Sequence, residues 1–148
     1  MTITAPRADG RTIGLAHYAS RAVLEHVLAP HGVTFLQFVT LRLAFVADGP
    51  VGETALIDGV AGTVKADGAE VRRAIGDLTS AGLLTFEEPS GGRMTDAGRE
   101  LYATAAAGTT AIADRLYAGI SEEDRSTAGR VLALVTERAD AELAALRK

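Results

Sequence analysis

Cysteine is absent from this chain, basic residues are outnumbered by acidic ones, and no long apolar run occurs anywhere in it. Without cysteine, disulfides, thiolate redox sensing, zinc–cysteine sites and cysteine nucleophiles are all excluded. No apolar run approaches the roughly 20 residues that span a membrane, and Met1 to Gly10 lack the apolar core of a signal peptide. We therefore expect a cytoplasmic protein that has no membrane partner.

Catalytic signatures are also missing. The sequence contains no glycine-rich phosphate loop with a lysine, no Gly-x-Ser-x-Gly elbow and no His–Glu pair at metal-ligand spacing. His17 and His26 are nine residues apart on one predicted helix, so they cannot chelate one ion together. We expect neither an enzyme nor a cofactor nor a metal site.

The composition is rich in apolar residues. The 148 residues are 47% apolar, which is ample for one domain or for one subunit that shares its core with a second copy. The net charge of −4 means that any basic surface must be local.

The most informative stretch runs from Asp67 to Thr95. Asp67 is a plausible N-cap with Glu70 completing a capping box, and apolar residues then recur at helical spacing until Gly82 ends the helix. The residues 83–88 are compatible with a strand, the run Pro89-Ser90-Gly91-Gly92 with a turn, and the residues 93–95 with a returning strand. The pattern predicts a helix followed by a small hairpin.

The remaining chain reads as helices. The residues 1–11 are predicted to be an arm. Apolar spacing predicts helices from Thr12 to about Ala29, from Thr34 to about Asp48 and from Thr54 to about Val64, then a long one from Ala97 to about Ala118 and a last one capped by Ser121. The fold class is therefore mainly α with a small β-hairpin. Two short helices on either side of Lys65-Ala66 have the helix-turn-helix arrangement.

Three sequence segments carry a family resemblance. The runs Val71-Arg72-Arg73-Ala74-Ile75-Gly76-Asp77-Leu78, Ala81-Gly82-Leu83-Leu84 and Met94-Thr95-Asp96-Ala97-Gly98-Arg99 resemble the recognition helix, wing entry and wing exit of the MarR family of winged helix-turn-helix transcriptional regulators. The start of the last helix, Ile120 to Arg125, resembles the dimerisation helix of that family. The resemblance implies a single domain with a DNA-binding region at 34–96 and dimerisation helices at 12–33 and 97–148.

The resemblance also implies double-stranded DNA as a partner, read by the helix after Asp67. Arg72 and Arg73 fall on its outward arc, where guanidinium groups bind guanine edges or phosphate, although two arginines on a helix can equally form a solvated face. The candidate DNA-binding residues are Lys65, Ala69, Arg72, Arg73, Gly76, Ser80 and Arg93.

The wing, which is the predicted hairpin at residues 83–95, departs from the family pattern. Relatives carry a longer and more basic wing, whereas Phe86, Glu87 and Glu88 stand here and Arg93 is the remaining cation. From Pro50 to Thr95 four basic side chains face seven acidic ones, a net charge of −3. This balance disfavours contact with a phosphate backbone.

A small aromatic or phenolic effector is a further partner that the resemblance implies, bound between the dimerisation helices and the winged domain. Aromatic walls and an arginine suit a planar acid, although phenylalanines at helical spacing also fit a core. The candidate ligand-binding residues are His17, Tyr18, Arg21, Phe35, Phe38, Arg42 and Tyr102.

The terminal helices carry more apolar surface than one subunit can cover, which favours a homodimer over a monomeric bundle. The sequence thus predicts a homodimeric, ligand-responsive regulator, usually a repressor in this family. The alternative is a degenerate winged-helix protein that does not read DNA and serves as a protein-interaction or small-molecule-binding module.

Overall fold

The computed structural model describes residues 4–47 and 49–148. In that part of the chain, six α-helices, one short 3-10 helix and a two-stranded antiparallel sheet follow each other. They are α1 (Gly10–Leu28), the 3-10 helix (Ala29–His31), α2 (Phe35–Val46), α3 (Glu53–Val64), α4 (Gly68–Ser80), β1 (Leu84–Glu87), β2 (Gly91–Met94), α5 (Asp96–Tyr117) and α6 (Glu122–Leu146). The mainly helical class with a small hairpin is confirmed. Asp48, where the second helix was expected to end, lies outside the described residues.

The first helix begins earlier than its apolar pattern indicates. Asp9 accepts a hydrogen bond from the Thr12 N–H at 2.8 Å, so Gly10 and Arg11 are helical and not part of an arm. This bond, together with one from the Thr12 hydroxyl, lowers the pKa of Asp9 below its ordinary value.

The chain divides into two compact units, of which the larger is Tyr18–Ile112. Its main core is formed where α2, α3 and α4 pack against one another and against the hairpin, as expected of a central, almost wholly apolar α2. The buried members of this core are Leu41, Leu56, Ile57, Val60, Val71, Ile75, Leu78, Leu84 and Met94. A second cluster joins Leu28, Val33, Phe38 and Ala105.

Helices α2 and α4 each begin at a residue whose side chain caps the helix. Thr34 and Gln37 exchange hydrogen bonds in a full capping box at the start of α2. Asp67 caps α4, as predicted, but its carboxylate accepts from the Ala69 N–H, and the described contacts include no reciprocal bond from Glu70.

The end of α4 is a Schellman motif. Gly82 has φ of 76°, its N–H bonds the Thr79 carbonyl at 3.0 Å, and the Leu83 N–H bonds the Leu78 carbonyl at 2.9 Å. The left-handed glycine predicted at this position is confirmed.

The hairpin differs from the sequence-based expectation in its turn. Gly91 and Gly92 were expected in the turn, but they begin β2, where Gly92 pairs with Phe86 and Gly91 with Glu87. Gly92 also forms two hydrogen bonds with Val51, at 2.8 and 2.7 Å. A Cβ on Gly92 would lie 2.6 Å from the Phe86 Cζ, and one on Gly91 would lie 2.8 Å from the Val51 carbonyl oxygen. The two glycines therefore leave room for the Phe86 ring and for the backbone of Val51 beside the hairpin.

The smaller unit comprises the described residues up to His17 and Ala113–Lys148. Ser121 caps α6 by accepting from the Asp124 N–H at 3.1 Å, as predicted. No residue of α6 is buried. Large apolar side chains are exposed along this unit: Leu15, Leu116, Tyr117, Ile120, Val131, Leu132, Leu134, Val135 and Leu146.

No single helix among the described residues is both long and apolar enough to cross a membrane. The pair Gly10–His31 and Phe35–Val46 meets the length and composition together but is bent by 80°.

Candidate nucleic-acid interface

The helix-turn-helix is closed by a short turn between α3 and α4. Lys65 ends α3 in the left-handed region with φ of 57°, and its ammonium group donates to the Gly62 carbonyl at 2.7 Å. A non-glycine residue in this conformation costs free energy, so the turn depends on the packing on both sides of it. Asp67 then starts α4 in a new direction.

One face of α4 is buried and the opposite face is open. Val71, Ala74, Ile75 and Leu78 lie in the core with at most 5% of their surface exposed. This spacing of three and four residues places the remaining side chains on a continuous solvent-facing arc.

All seven candidate DNA-binding residues are exposed: Lys65, Ala69, Arg72, Arg73, Gly76, Ser80 and Arg93. Six of them belong to α4 or to the turn in front of it, while Arg93 lies on the hairpin. Arg72 and Arg73 form no ion pair with any of the described residues. A Cβ at Gly76 would meet no atom within 4 Å, so no side chain covers the backbone at this point of the arc.

The acidic side chain of Asp77 borders the solvent-facing arc of α4. Asp77 lies beside Gly76 and accepts a long hydrogen bond of 3.5 Å from the Gln37 side chain of α2. This contact connects the exposed side of α4 with the capping box of α2. It was not anticipated, because Gln37 and Asp77 are 40 residues apart and no local pattern brings their side chains together.

Arg93, the basic residue of the wing, is not free. Its guanidinium nitrogen lies 3.6 Å from a carboxylate oxygen of Glu87 on the neighbouring strand. The two side chains are 56% and 60% exposed. The wing therefore presents an ion pair at the position where a free cation was expected.

The candidate ligand residues are distributed over α1, α2 and α5. His17 lies in the smaller unit and the other six in the larger one. Arg21 places its guanidinium 4.6 Å from the centre of the Phe35 ring and also pairs with Glu25 at 3.0 Å. Phe38 is stacked on Tyr102 with ring centres 5.3 Å apart.

Of the ligand candidates, Phe38 is buried, and Tyr18 and Arg42 are exposed. Phe38 packs in the second core cluster, which matches the alternative that phenylalanines at helical spacing pack in a core. Phe35 is half-buried and borders a cavity of about 350 Å³ together with Glu25 and Val33.

A cavity of about 380 Å³ opens elsewhere in the larger unit, and none of those seven residues lines it. Its lining comes from the end of α2, the following loop, β2 and the first turns of α5: Ala44, Phe45, Ala47, Gly49, Pro50, Arg93, Met94 and Arg99. Two guanidinium groups, a half-exposed phenylalanine and a methionine are the chemistry of a site for an organic anion.

Arg99 and Phe45 were not among the predicted ligand residues, although Arg99 belongs to the run Met94-Thr95-Asp96-Ala97-Gly98-Arg99 that carries the family resemblance. Their proximity results from tertiary packing. Across the described residues, no group of three or more His, Cys, Asp or Glu side chains is placed to hold a metal ion.

The geometry can be compared with known proteins. No model of a known protein family matches the sequence, and no curated protein matches it either. Solved structures do match. CouR from Rhodococcus jostii RHA1, bound to p-coumaroyl-CoA, shares 22% identity at a TM-score of 0.70, over 87% of this chain and 93% of that one.

A MarR family protein of Mycobacterium tuberculosis, Rv2887, is similar in two structures. In complex with DNA it matches at a TM-score of 0.67 and 22% identity, over 89% of this chain and 98% of that one. In complex with p-aminosalicylic acid it matches at 0.69 and 20% identity, over 89% and 99%. The fold of this chain is thus the MarR-type winged helix, as the sequence resemblance implied.

Proposed function

We propose that this chain, which has the MarR-type winged-helix fold, is a transcriptional regulator that reads double-stranded DNA with α4. The observation that carries the proposal is the open arc of that helix. Arg72 and Arg73 project from it without an ion-pair partner among the described residues, beside the side-chain-free surface of Gly76. An arginine reads the edge of guanine in the major groove by two parallel hydrogen bonds, and a flat neighbouring surface lets the helix approach.

A homodimer is the second part of the proposal. The smaller unit exposes apolar side chains along its helices, with Leu146 79%, Tyr117 50% and Val135 45% exposed. Association with a second copy would remove this surface from water. A two-fold dimer then presents two copies of α4 to half-sites about one DNA turn apart.

An effector is the third part. The solved structures with bound p-coumaroyl-CoA, an aromatic thioester, and p-aminosalicylic acid, an aromatic acid, are precedents for aromatic ligands on this fold. We propose that a small aromatic acid alters the spacing of the two α4 helices and releases DNA, so that the protein is a repressor. The cavity bordered by Arg93 and Arg99 is a candidate for its site. A repressor of this kind works in the cytoplasm, next to the chromosome.

The second candidate is a winged-helix module that no longer reads DNA. It is favoured by one observation, the ion pair between Arg93 and Glu87 within a region of net charge −3. Such a module would bind a protein or a small molecule and would leave Arg72 and Arg73 as a solvated face.

Binding to the intergenic region upstream of the protein's own gene separates the two candidates. We expect specific binding by a dimer, measured by fluorescence anisotropy over a salt series with the mass determined on the same sample. Arg72→Ala and Arg73→Ala should each weaken binding by about 1–3 kcal/mol if they reach base edges, or lower the salt slope by about 1 if they reach phosphates.

Arg130→Ala, an exposed arginine on the polar side of α6 and away from Val135, is the matched control and should leave binding unchanged. Absence of a specific complex even at low salt would exclude the regulator and leave the module.

A further inference from the structure

On the outward face of the wing, the guanidinium of Arg93 is paired with the carboxylate of Glu87. Along β1 and β2 the side chains alternate, so Leu84 and Met94 are buried on one face while Glu87 and Arg93 point outward on the other. Arg93 stands opposite Thr85, and Glu87 is its diagonal neighbour across the strand pair. Long side chains at diagonal positions reach each other, as the separation of 3.6 Å between their charged atoms shows here.

The backbone of Arg93 has little freedom to leave this position. Its neighbour Gly92 is hydrogen-bonded to Val51 in both directions, and the Phe86 ring packs against the same glycine. The next residue, Met94, is 5% exposed and belongs to the main core. The register therefore keeps the guanidinium of Arg93 within reach of Glu87.

The pairing matters for binding more than for folding. An ion pair between two half-exposed side chains contributes little to stability, so its loss should leave the fold intact. A DNA phosphate, in contrast, would have to displace the Glu87 carboxylate from Arg93 and then tolerate that carboxylate nearby. Each phosphate contact that a protein fails to make lowers both its affinity and its salt dependence.

We propose that Glu87 is an internal competitor of DNA: it occupies Arg93, removes the wing from backbone binding and leaves recognition to α4. This inference rests on the proposed function of the chain as a DNA-binding regulator. Arg72 and Arg73 have no such competitor among the described residues. The ion-pair pattern therefore leaves the arginines of α4 available to DNA and withholds the arginine of the wing.

The test uses a charge-matched pair of variants in the full chain. Glu87→Gln and Glu88→Gln each remove one negative charge from adjacent residues, but Glu88 has no ion pair with the described residues. Anisotropy with the upstream DNA is recorded for both, for Arg93→Gln and for Glu87→Gln/Arg93→Gln. Binding to an unrelated duplex of equal length is measured in parallel.

We expect Glu87→Gln to bind more tightly, by roughly 8-fold per wing at about 0.1 M salt, with a salt slope steeper by about 0.9 per wing. Glu88→Gln should raise affinity less and leave the slope unchanged. Arg93→Gln alone should change little, because Glu87 already occupies that arginine. The double variant should lose the gain of Glu87→Gln, and the gain should appear on both duplexes because phosphate contacts carry no sequence information.

Equal effects of Glu87→Gln and Glu88→Gln would overturn the inference while the specific binding of the wild type still upholds the proposed function. Binding by Glu87→Gln where the wild type binds nothing would also overturn the inference, because α4 alone would then not recognise DNA. Absence of binding by every variant, including Glu87→Gln, would overturn both.

Discussion

Gly98, in the first turn of α5, is a position where alanine should destabilise the protein although alanine is the better helix former. A Cβ built on Gly98 would lie 3.0 Å from the carbonyl carbon of Leu83 and closer still to its oxygen. That oxygen also accepts a hydrogen bond of 3.1 Å from the Thr95 N–H. The contact is with backbone, so no side-chain rotation can relieve it.

The expected magnitude combines a gain and a larger cost. Helix propensity favours alanine by about 1 kcal/mol over glycine. Overpacking costs typically about 1–3 kcal/mol and sometimes more, and separating α5 from Leu83 also strains the Thr95 bond, worth about 1 kcal/mol. We expect Gly98→Ala to lower the free energy of unfolding by about 2 kcal/mol.

Gly76→Ala is the matched control, since this helical glycine is exposed and an added Cβ would meet nothing within 4 Å. At this position the higher helix propensity of alanine has no steric cost against it. We therefore expect Gly76→Ala to raise the free energy of unfolding by about 0.5–1 kcal/mol. Urea unfolding followed by helical circular dichroism measures both, at one protein concentration so that dimerisation affects the variants equally.

Wild-type or greater stability of Gly98→Ala would refute the steric reasoning and would mean that α5 and Leu83 separate at no cost. A loss of stability in Gly76→Ala as well would show that propensity does not govern the exposed position.

Two further predictions concern the same unit. Thr95→Val removes the hydroxyl that donates to the Gly82 carbonyl at 2.6 Å and accepts from the Gly98 N–H at 3.0 Å, and should cost about 1–2 kcal/mol in urea unfolding. Thr104→Val, on the exposed side of α5, should cost under about 0.5 kcal/mol, and equal losses would contradict a special role for Thr95. For the cavity, p-aminosalicylate should raise the Tm of the wild type and of Arg115→Gln in a saturable way, but not that of Arg99→Gln. At 100 times Kd the free energy of unfolding should rise by about 2.7 kcal/mol. An undiminished shift in Arg99→Gln would place the ligand elsewhere.

The helical skeleton could be predicted from the sequence because its signals are local. Thr34, Asp67 and Ser121 cap helices with their own side chains, and Gly82 takes the left-handed conformation that ends α4. The outward position of Arg72 and Arg73 also follows from helical spacing alone. These features depend on residues at most six positions apart.

The wing and the cavity could not be predicted in the same way. Gly91 and Gly92 look like turn residues, but they form a strand because Val51, some 40 positions earlier, pairs with Gly92 and Phe86 covers it. The placement of Phe38 in a core cluster, and the meeting of Phe45 with Arg99 in one cavity, arise from the packing of α2 against β2 and α5.

The sequence by itself determined which segments are helical, which side chains cap α2, α4 and α6, and which face of α4 is polar, because capping and periodicity act within a few residues. Only the tertiary structure decided that Arg93 is bound by Glu87, that Gly98 must be glycine and that two arginines border one cavity. Those relations depend on strand register and on close approach between distant backbones, which no local pattern encodes.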